Sequence, residues 1–183
     1  MSWTIDTSHT QIQFSVRHMM ITKVRGNFEK FSGTVDLDEN HPDNTTVNIQ
    51  VETASVNTRE PNRDNHLRSP DFFNSAVYPS MIFKSTQVDV TDKNHACLAG
   101  EMTIRDITHP VVWDVEFAGM AKSPWGAVSA GFTATTKINR KDWDLTWNKP
   151  LETGGVLVGD EIEVSIELEL VKQPEKETAA KVA

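Results

Sequence analysis

The densest set of chemistry-bearing side chains is Arg63-Asp64-Asn65-His66-Leu67-Arg68-Ser69-Pro70-Asp71. A carboxylate two residues from an imidazole supports acid/base work when both face one cleft, so Asp64 and His66 form the candidate dyad. A competing reading makes the segment a surface cap whose Arg and Asp side chains pair and hold the loop, since exposed ion pairs contribute little. A third reading lets His66 or Arg68 hydrogen-bond the polar head of an amphiphile. The six histidines (His9, His18, His41, His66, His95 and His109) stand singly, with no pair at metal-ligand spacing on one element. His41 and His109 precede prolines in turn-like tripeptides. Gly154-Gly155 reads as a turn rather than a phosphate loop. Nothing beside the lone Cys97 marks it as an activated nucleophile, and one cysteine excludes an internal disulfide. The expectation is therefore no catalytic residue, no metal and no cofactor.

The global balance excludes other classes. The 183 residues carry 26 acidic and 18 basic side chains, a net charge of -8, and no long Lys/Arg block. Nucleic acid and anionic lipid surfaces demand clustered positive charge, so a nucleic-acid role is disfavoured. An apolar fraction of 38% with 24% charged residues is that of a globular domain large enough for its own core. No stretch approaches the roughly 20 apolar residues of a membrane helix. The opening Met-Ser-Trp-Thr-Ile-Asp has no signal-peptide pattern, so the expected location is cytoplasmic.

The elements that must position these residues are strands. From Asp160 to Val171 acids alternate with branched apolar residues, placing Ile162, Val164, Ile166, Leu168 and Leu170 on one face and Glu161, Glu163, Glu167 and Glu169 on the other. Similar runs cover Ile12–Val16, Phe31–Leu37, Val47–Val51, Met81–Val90, Ala96–Asp106, Val111–Phe117 and Phe132–Ile138, making eight strands. Phe28 is out of phase with Phe31, which predicts a bend near Glu29-Lys30. Arg59–Asn74 breaks the alternation and reads as one or two short helices, with Ser69 as N-cap ahead of Pro70. The predicted fold is all-β: an extended, up-and-down, antiparallel eight-stranded β-barrel, with a two-sheet sandwich as the alternative. It occupies residues 1–171, and a polar, fraying tail follows over 172–183.

Strand length carries a functional hint. Runs of about 10 to 13 residues would span roughly 35–40 Å, and an eight-stranded barrel is either filled or just wide enough for one slender guest. A long tube lined with Phe, Val, Leu and Met suits a hydrocarbon chain. Periodicity does not separate lining from filling, so Phe14, Phe31, Phe72, Phe73, Phe83, Trp113, Phe132 and Trp147 fit a solid core as well. His18 continues the inward phase of Phe14 and Val16, as a core histidine or a head-group contact.

The order of motifs resembles the YceI-like family of polyisoprenoid-binding, lipocalin-like proteins. The matching pieces are Phe14-Ser-Val-Arg-His-Met-Met20, Val24-Arg-Gly-Asn-Phe28, Phe31-Ser-Gly33, and Arg63-Asp-Asn-His-Leu-Arg-Ser69 leading into Asp71-Phe-Phe73. They continue through Tyr78-Pro79, Met102-Thr-Ile-Arg105, Thr108-His-Pro-Val111, Trp147-Asn148 and Gly155-Val-Leu-Val-Gly-Asp160, so the match spans Trp3 to about Val171. Asp106 and Asp144 depart from it, standing where glycine is expected. The resemblance implies a carrier or sequestering protein for a long-chain isoprenoid, such as a quinone or its precursor, or a similar lipid. The expected contacts are Phe14, Val16, His18, Met20, Phe31, His66, Arg68, Phe72, Phe73, Phe83, Trp113, Phe132, Trp147 and Asn148. An enzyme acting on such a lipid at the barrel mouth, and a solid interaction module, are the alternatives. A homodimer through an exposed strand or the Trp125 region is compatible with the sequence, which does not fix the oligomeric state.

Overall fold

The structure is a computed structural model and describes residues 2–173. Its strands are β1 (Trp3–Ile5), β2 (Gln11–His18), β3 (Thr22–Phe28), β4 (Phe31–Asp36), β5 (Thr46–Glu52), β6 (Val56–Asn57), β7 (Ser80–Val90), β8 (His95–Ile104), β9 (Ile107–Lys122), β10 (Val128–Asn139) and β11 (Val158–Lys172). The helix α1 (Pro61–Arg68) lies between β6 and β7. The strands form a single antiparallel sheet in the order β4-β5-β7-β8-β9-β10-β11-β2-β3-β6, with β1 paired to the far end of β11. One curled sheet replaces the sandwich alternative.

The expected all-β, antiparallel, barrel-like fold with a short helix is found, and it differs from the expectation in strand count and in how the curl is closed. Among the described residues the strands number eleven rather than eight, because β1, β3 and β6 are added. The sheet is also a curled half-barrel: its path ends at β4 and β6, and no ladder joins them among the described residues. The gap is sealed differently. Glu29 N–H donates to Ser55 O at 3.2 Å and Glu52 N–H to Lys30 O at 2.9 Å. Ile12, Phe28, Val51 and Val56 pack beneath these bonds, while Trp3 of β1 meets Val35 of β4 at the other end. Covering an edge with a helix, loops and apolar packing removes it as a pairing template as well as closure would.

The bend expected at Glu29-Lys30 is a full strand reversal from β3 to β4. Gly26 makes β3 possible, since a Cβ there would lie 2.5 Å from the Phe14 ring, directly across the β2–β3 ladder. The helix also starts earlier than expected. Glu60 is the N-cap, its carboxylate accepting from Asn62 N–H and Arg63 N–H, and Pro61 takes the first helical position. Ser69 is the C-cap instead, its hydroxyl donating to His66 O at 2.7 Å. Lys172 belongs to β11, and Gln173 N–H donates to Ser2 O at 2.8 Å, so the start of the expected tail is ordered. The remainder of that tail, 174–183, lies outside the described residues.

Candidate ligand-binding site

The inward faces of the curled sheet surround an apolar cavity of about 830 Å³. Alternation builds it strand by strand. β11 contributes Ile162, Val164, Ile166, Leu168 and Leu170; β2 contributes Ile12, Phe14, Val16 and His18; β10 contributes Phe132, Ala134 and Ile138. The aromatic side chains lie along the wall in contacting pairs: Phe14 with Phe28 (5.5 Å), Phe83 with Trp113 (5.9 Å) and Phe117 with Phe132 (5.2 Å). They line the hollow without filling it. Polar residues gather at its two ends: Asn62, Arg63 and His66 with Arg17 and His18 at one, Asp38, Glu39, Asp92 and His95 at the other. The outer face is charged, as the alternating glutamates require. Glu163 there sits 2.5 Å from Lys23 and 3.6 Å from Lys137, and the Lys23 hydrogen bond holds its carboxyl below the usual range.

Eleven of the fourteen expected contacts line this cavity: Phe14, Val16, His18, Phe31, His66, Phe72, Phe73, Phe83, Trp113, Phe132 and Trp147. Three do not. Met20 sits at the tip of the β2–β3 hairpin, 59% exposed. Arg68 is turned to the backbone, donating to Ala54 O at 2.8 Å and Val56 O at 3.0 Å, carbonyls of the Thr53–Ser55 turn and of β6. Asn148 is occupied in pinning β11: it donates to Val158 O at 2.7 Å and accepts from Val158 N–H at 3.0 Å.

The candidate Asp64–His66 dyad is not assembled. Asp64 is buried, accepting from Thr58 N–H at 2.9 Å and Thr58 Oγ1–H at 2.6 Å, while Arg63 donates to the same threonine. These bonds tie α1 to the exit of β6. His66 Nε2 instead lies 2.8 Å from Asp71 Oδ2, and its ring stands edge-on to Trp147 (4.6 Å) and Phe72 (5.1 Å). The result is an aromatic rim with one polar edge, set at the cavity end beside Asn62 and Arg63.

Arg140 is the residue that sequence reasoning missed. Its side chain is 3% exposed and lines the cavity beneath the 145–159 loop. It donates from Nε to Gly159 O (2.9 Å) and from Nη1 to Leu145 O (2.5 Å) and Trp147 O (2.9 Å). Nη2 reaches Val158 O and Asp160 Oδ1, both at 3.4 Å. Burial pulls its pKa down and Asp160 opposes that, but a guanidinium stays charged. One cation thus organises the loop that carries Trp147. No spacing in the sequence announces it, because its acceptors are backbone carbonyls.

A family model described as the YceI-like domain matches residues 3–170. The chain belongs to the YceI-like family. UPF0312 protein SAS2572 of Staphylococcus aureus (strain MSSA476) is 33% identical over 162 residues, which cover 88% of this chain and 92% of that protein. The crystal structure of the Campylobacter jejuni YCEI protein superposes with a TM-score of 0.74 at 31% identity, covering 86% of this chain and 90% of that one. A polyisoprenoid binding domain from Saccharophagus degradans, implicated in plant cell wall breakdown, has a TM-score of 0.67 at 12% identity, over 94% of this chain and 99% of that one. At that identity the likeness is one of fold.

Both departures from the YceI-like pattern fall where the backbone favours glycine. Asp106 has φ 59° in the β8–β9 turn and Asp144 has φ 58° after the one-turn helix Arg140–Trp143. Aspartate tolerates this left-handed region better than most residues, so the turns survive the exchange. Met19 and Met20 are a costlier case. At φ 51° and 65° they form a left-handed turn closed by Ile21 N–H to His18 O (3.2 Å), at about 1–2 kcal/mol per residue. Among the described residues no helix is long and apolar enough to cross a membrane.

Proposed function

We propose that the protein binds a long-chain polyisoprenoid, or a similar amphiphilic lipid, inside the cavity and acts as its carrier or sequestering partner. The observation that carries this reading is the open apolar hollow of about 830 Å³ running between two polar ends. With each carbon group taken at about the 30 Å³ that one water occupies in the liquid, it admits on the order of 25–30 carbons, five or six isoprene units. Burying about 25 such groups at about 0.8 kcal/mol each contributes roughly 20 kcal/mol gross, before association and ordering costs of about 4–15 kcal/mol. The surplus is enough for tight binding without a charged contact. Affinity then comes from length and dryness, and the rim of His66, Asn62 and Arg63 selects an oxygenated head such as that of a quinone. The likeness of fold to a polyisoprenoid binding domain adds support.

Titration with a fluorescent polyene tests this. The wild type gives a saturable signal; Phe132→Asp, which puts a carboxylate on the cavity wall, abolishes it. Glu163→Ala, on the outer face, leaves it unchanged. A signal that never saturates, or one indifferent to Phe132→Asp, contradicts the proposal.

A further inference from the structure

Two hairpin tips border the cavity end that carries the aromatic rim. One is the β2–β3 turn, Met19–Ile21. The other is 149–157, a small hairpin closed by Leu157 N–H to Lys149 O (2.9 Å) and Leu151 N–H to Gly155 O (3.1 Å), with a bridge between Pro150 and Val156. Its base is fixed, because Asn148 grips Val158 through both N–H and C=O while Arg140 holds the carbonyls of Trp147 and Gly159. The hairpin itself is not fixed. Among the described residues its hydrogen bonds beyond itself are two: Lys149 N–H to Asn148 Oδ1 at the base, and Met19 N–H to Leu157 O, 2.9 Å, from the other tip. Met20 lies against Gly155, where an added Cβ would come within 3.3 Å of its Cγ. So the tips are held mainly by each other.

Both tips are also uncoupled from the barrel wall. The β2–β11 ladder runs unbroken from Gln11↔Glu167 to Val16↔Ile162, then breaks, and resumes only at His18↔Val158. Gly159, Asp160 and Glu161 fall in that break. The turns themselves use left-handed backbone: Gly154 and Gly155 at φ 87° and 89°, and the strained Met19 and Met20 at 51° and 65°. A segment joined to its surroundings by one exposed backbone bond lies at the low end of local stability, where moving parts are drawn from. His18 and Leu157 both line the cavity, so parting the tips opens the wall beside the rim.

We propose that the Met19–Ile21 tip and the 149–157 hairpin are the two leaves of a gate through which the lipid enters and leaves; this rests on the carrier reading above. The Met19–Leu157 bond and the Met20–Gly155 contact hold the gate shut. Opening breaks them while the Arg140 and Asn148 anchors stay formed, so the rim survives each cycle. A disulfide across the gate tests it. Met19 and Leu157 stand opposite one another, next along the ladder from His18↔Val158, and cross-strand Cα atoms about 4.5–5.5 Å apart are within a disulfide's reach. Met19→Cys/Leu157→Cys is made on a Cys97→Ser background, and stopped-flow fluorescence follows polyene uptake from detergent. The oxidised protein takes up and releases polyene at least tenfold more slowly than the same protein reduced, with the same amount bound at equilibrium. Met20→Ser, which removes the second contact, speeds both rates at least twofold. Amide exchange gives a reading without lipid: corrected for intrinsic rates, Met19 N–H exchanges at least tenfold faster than the amides of Ile162–Ile166. Equal rates in the oxidised and reduced proteins, a cysteine pair that will not oxidise, or a Met19 amide as protected as the ladder overturns the gate. Saturable binding by the reduced protein reads the cavity alone: binding retained with equal rates removes the gate and keeps the carrier, and no saturable binding in any form removes both.

Discussion

Arg140 offers the most demanding test of how the loop over the cavity is held. Truncation in Arg140→Ala strands the carbonyls of Leu145, Trp147 and Gly159, which now accept at 2.5, 2.9 and 2.9 Å from a side chain 3% exposed. An unsatisfied buried acceptor costs about 1–3 kcal/mol, and water entering the vacated space recovers part of that. The two 3.4 Å contacts to Val158 O and Asp160 add little. Summed over three carbonyls and reduced by that rehydration, the expected loss is about 3–5 kcal/mol. Equilibrium urea unfolding reads it as a fall in midpoint of about 1–5 M, given slopes of about 1–3 kcal/mol/M. Arg140→Lys recovers only part, because an ammonium lacks the planar fork that reaches acceptors on both sides. Asp160→Asn separates charge from hydrogen bonding: Asp160 is 43% exposed, so this variant stays within about 1 kcal/mol of wild type. An Arg140→Ala protein within about 1 kcal/mol of wild type would refute the reasoning, as would an Asp160→Asn loss equal to that of Arg140→Ala.

Further outcomes follow from other contacts. Gly26→Ala drives a Cβ into the Phe14 ring, 2.5 Å away, and into Thr58, 2.8 Å away, so it lowers stability by about 1–3 kcal/mol and perturbs polyene uptake; an unchanged urea midpoint would contradict it. Asp106→Gly and Asp144→Gly relieve left-handed backbone at φ 59° and 58° and raise the Tm, and a fall in either would show that the aspartate side chain matters more than its φ. The β1–β2 junction is pH-dependent through Asp6 and His9, 2.9 Å apart, with Glu169 Oε2 3.9 Å from His9. Hydrogen bonds from Ser8 and His9 lower the Asp6 pKa, and the Asp6 hydrogen bond raises that of His9. The Asp6 contribution is present above about pH 3.9 and lost as pH falls below it. The His9 contribution is full below about pH 6.5 and lost as pH rises through the raised value. The junction is therefore tightest between about pH 4 and 6.5, and amide exchange at Glu169, whose N–H donates to Thr10 Oγ1, quickens beyond intrinsic rates above that window. Flat corrected exchange would refute the coupling.

The long strands were legible because a half-buried ladder repeats every second residue, and β11 carries that signature over 15 residues. The short elements were not. β1 and β6 have three and two residues, too few for a period, and β3 hides its inward face because Gly26 stands between Val24 and Phe28. Helix chemistry was legible but ambiguous: Glu60-Pro61 and Ser69-Pro70 both read as cap plus proline, and only the first opens a helix. The apolar wall followed from phase alone. The polar parts of the site did not, since Asp64, Arg68, Arg140 and Asn148 spend their hydrogen bonds on backbone brought near by topology. Met20 shares a motif with wall residues, yet a left-handed turn swings it outside.

The central claim is that the curled sheet encloses a hollow occupied by one long apolar molecule. Native mass spectrometry of the protein as isolated tests it most directly. The account predicts a mass excess equal to one lipid with a hydrocarbon tail of about five or six isoprene units, released on denaturation and recovered by organic extraction. Bare protein mass, with polyprenyl lipids of that length failing to shift it when added, would contradict it.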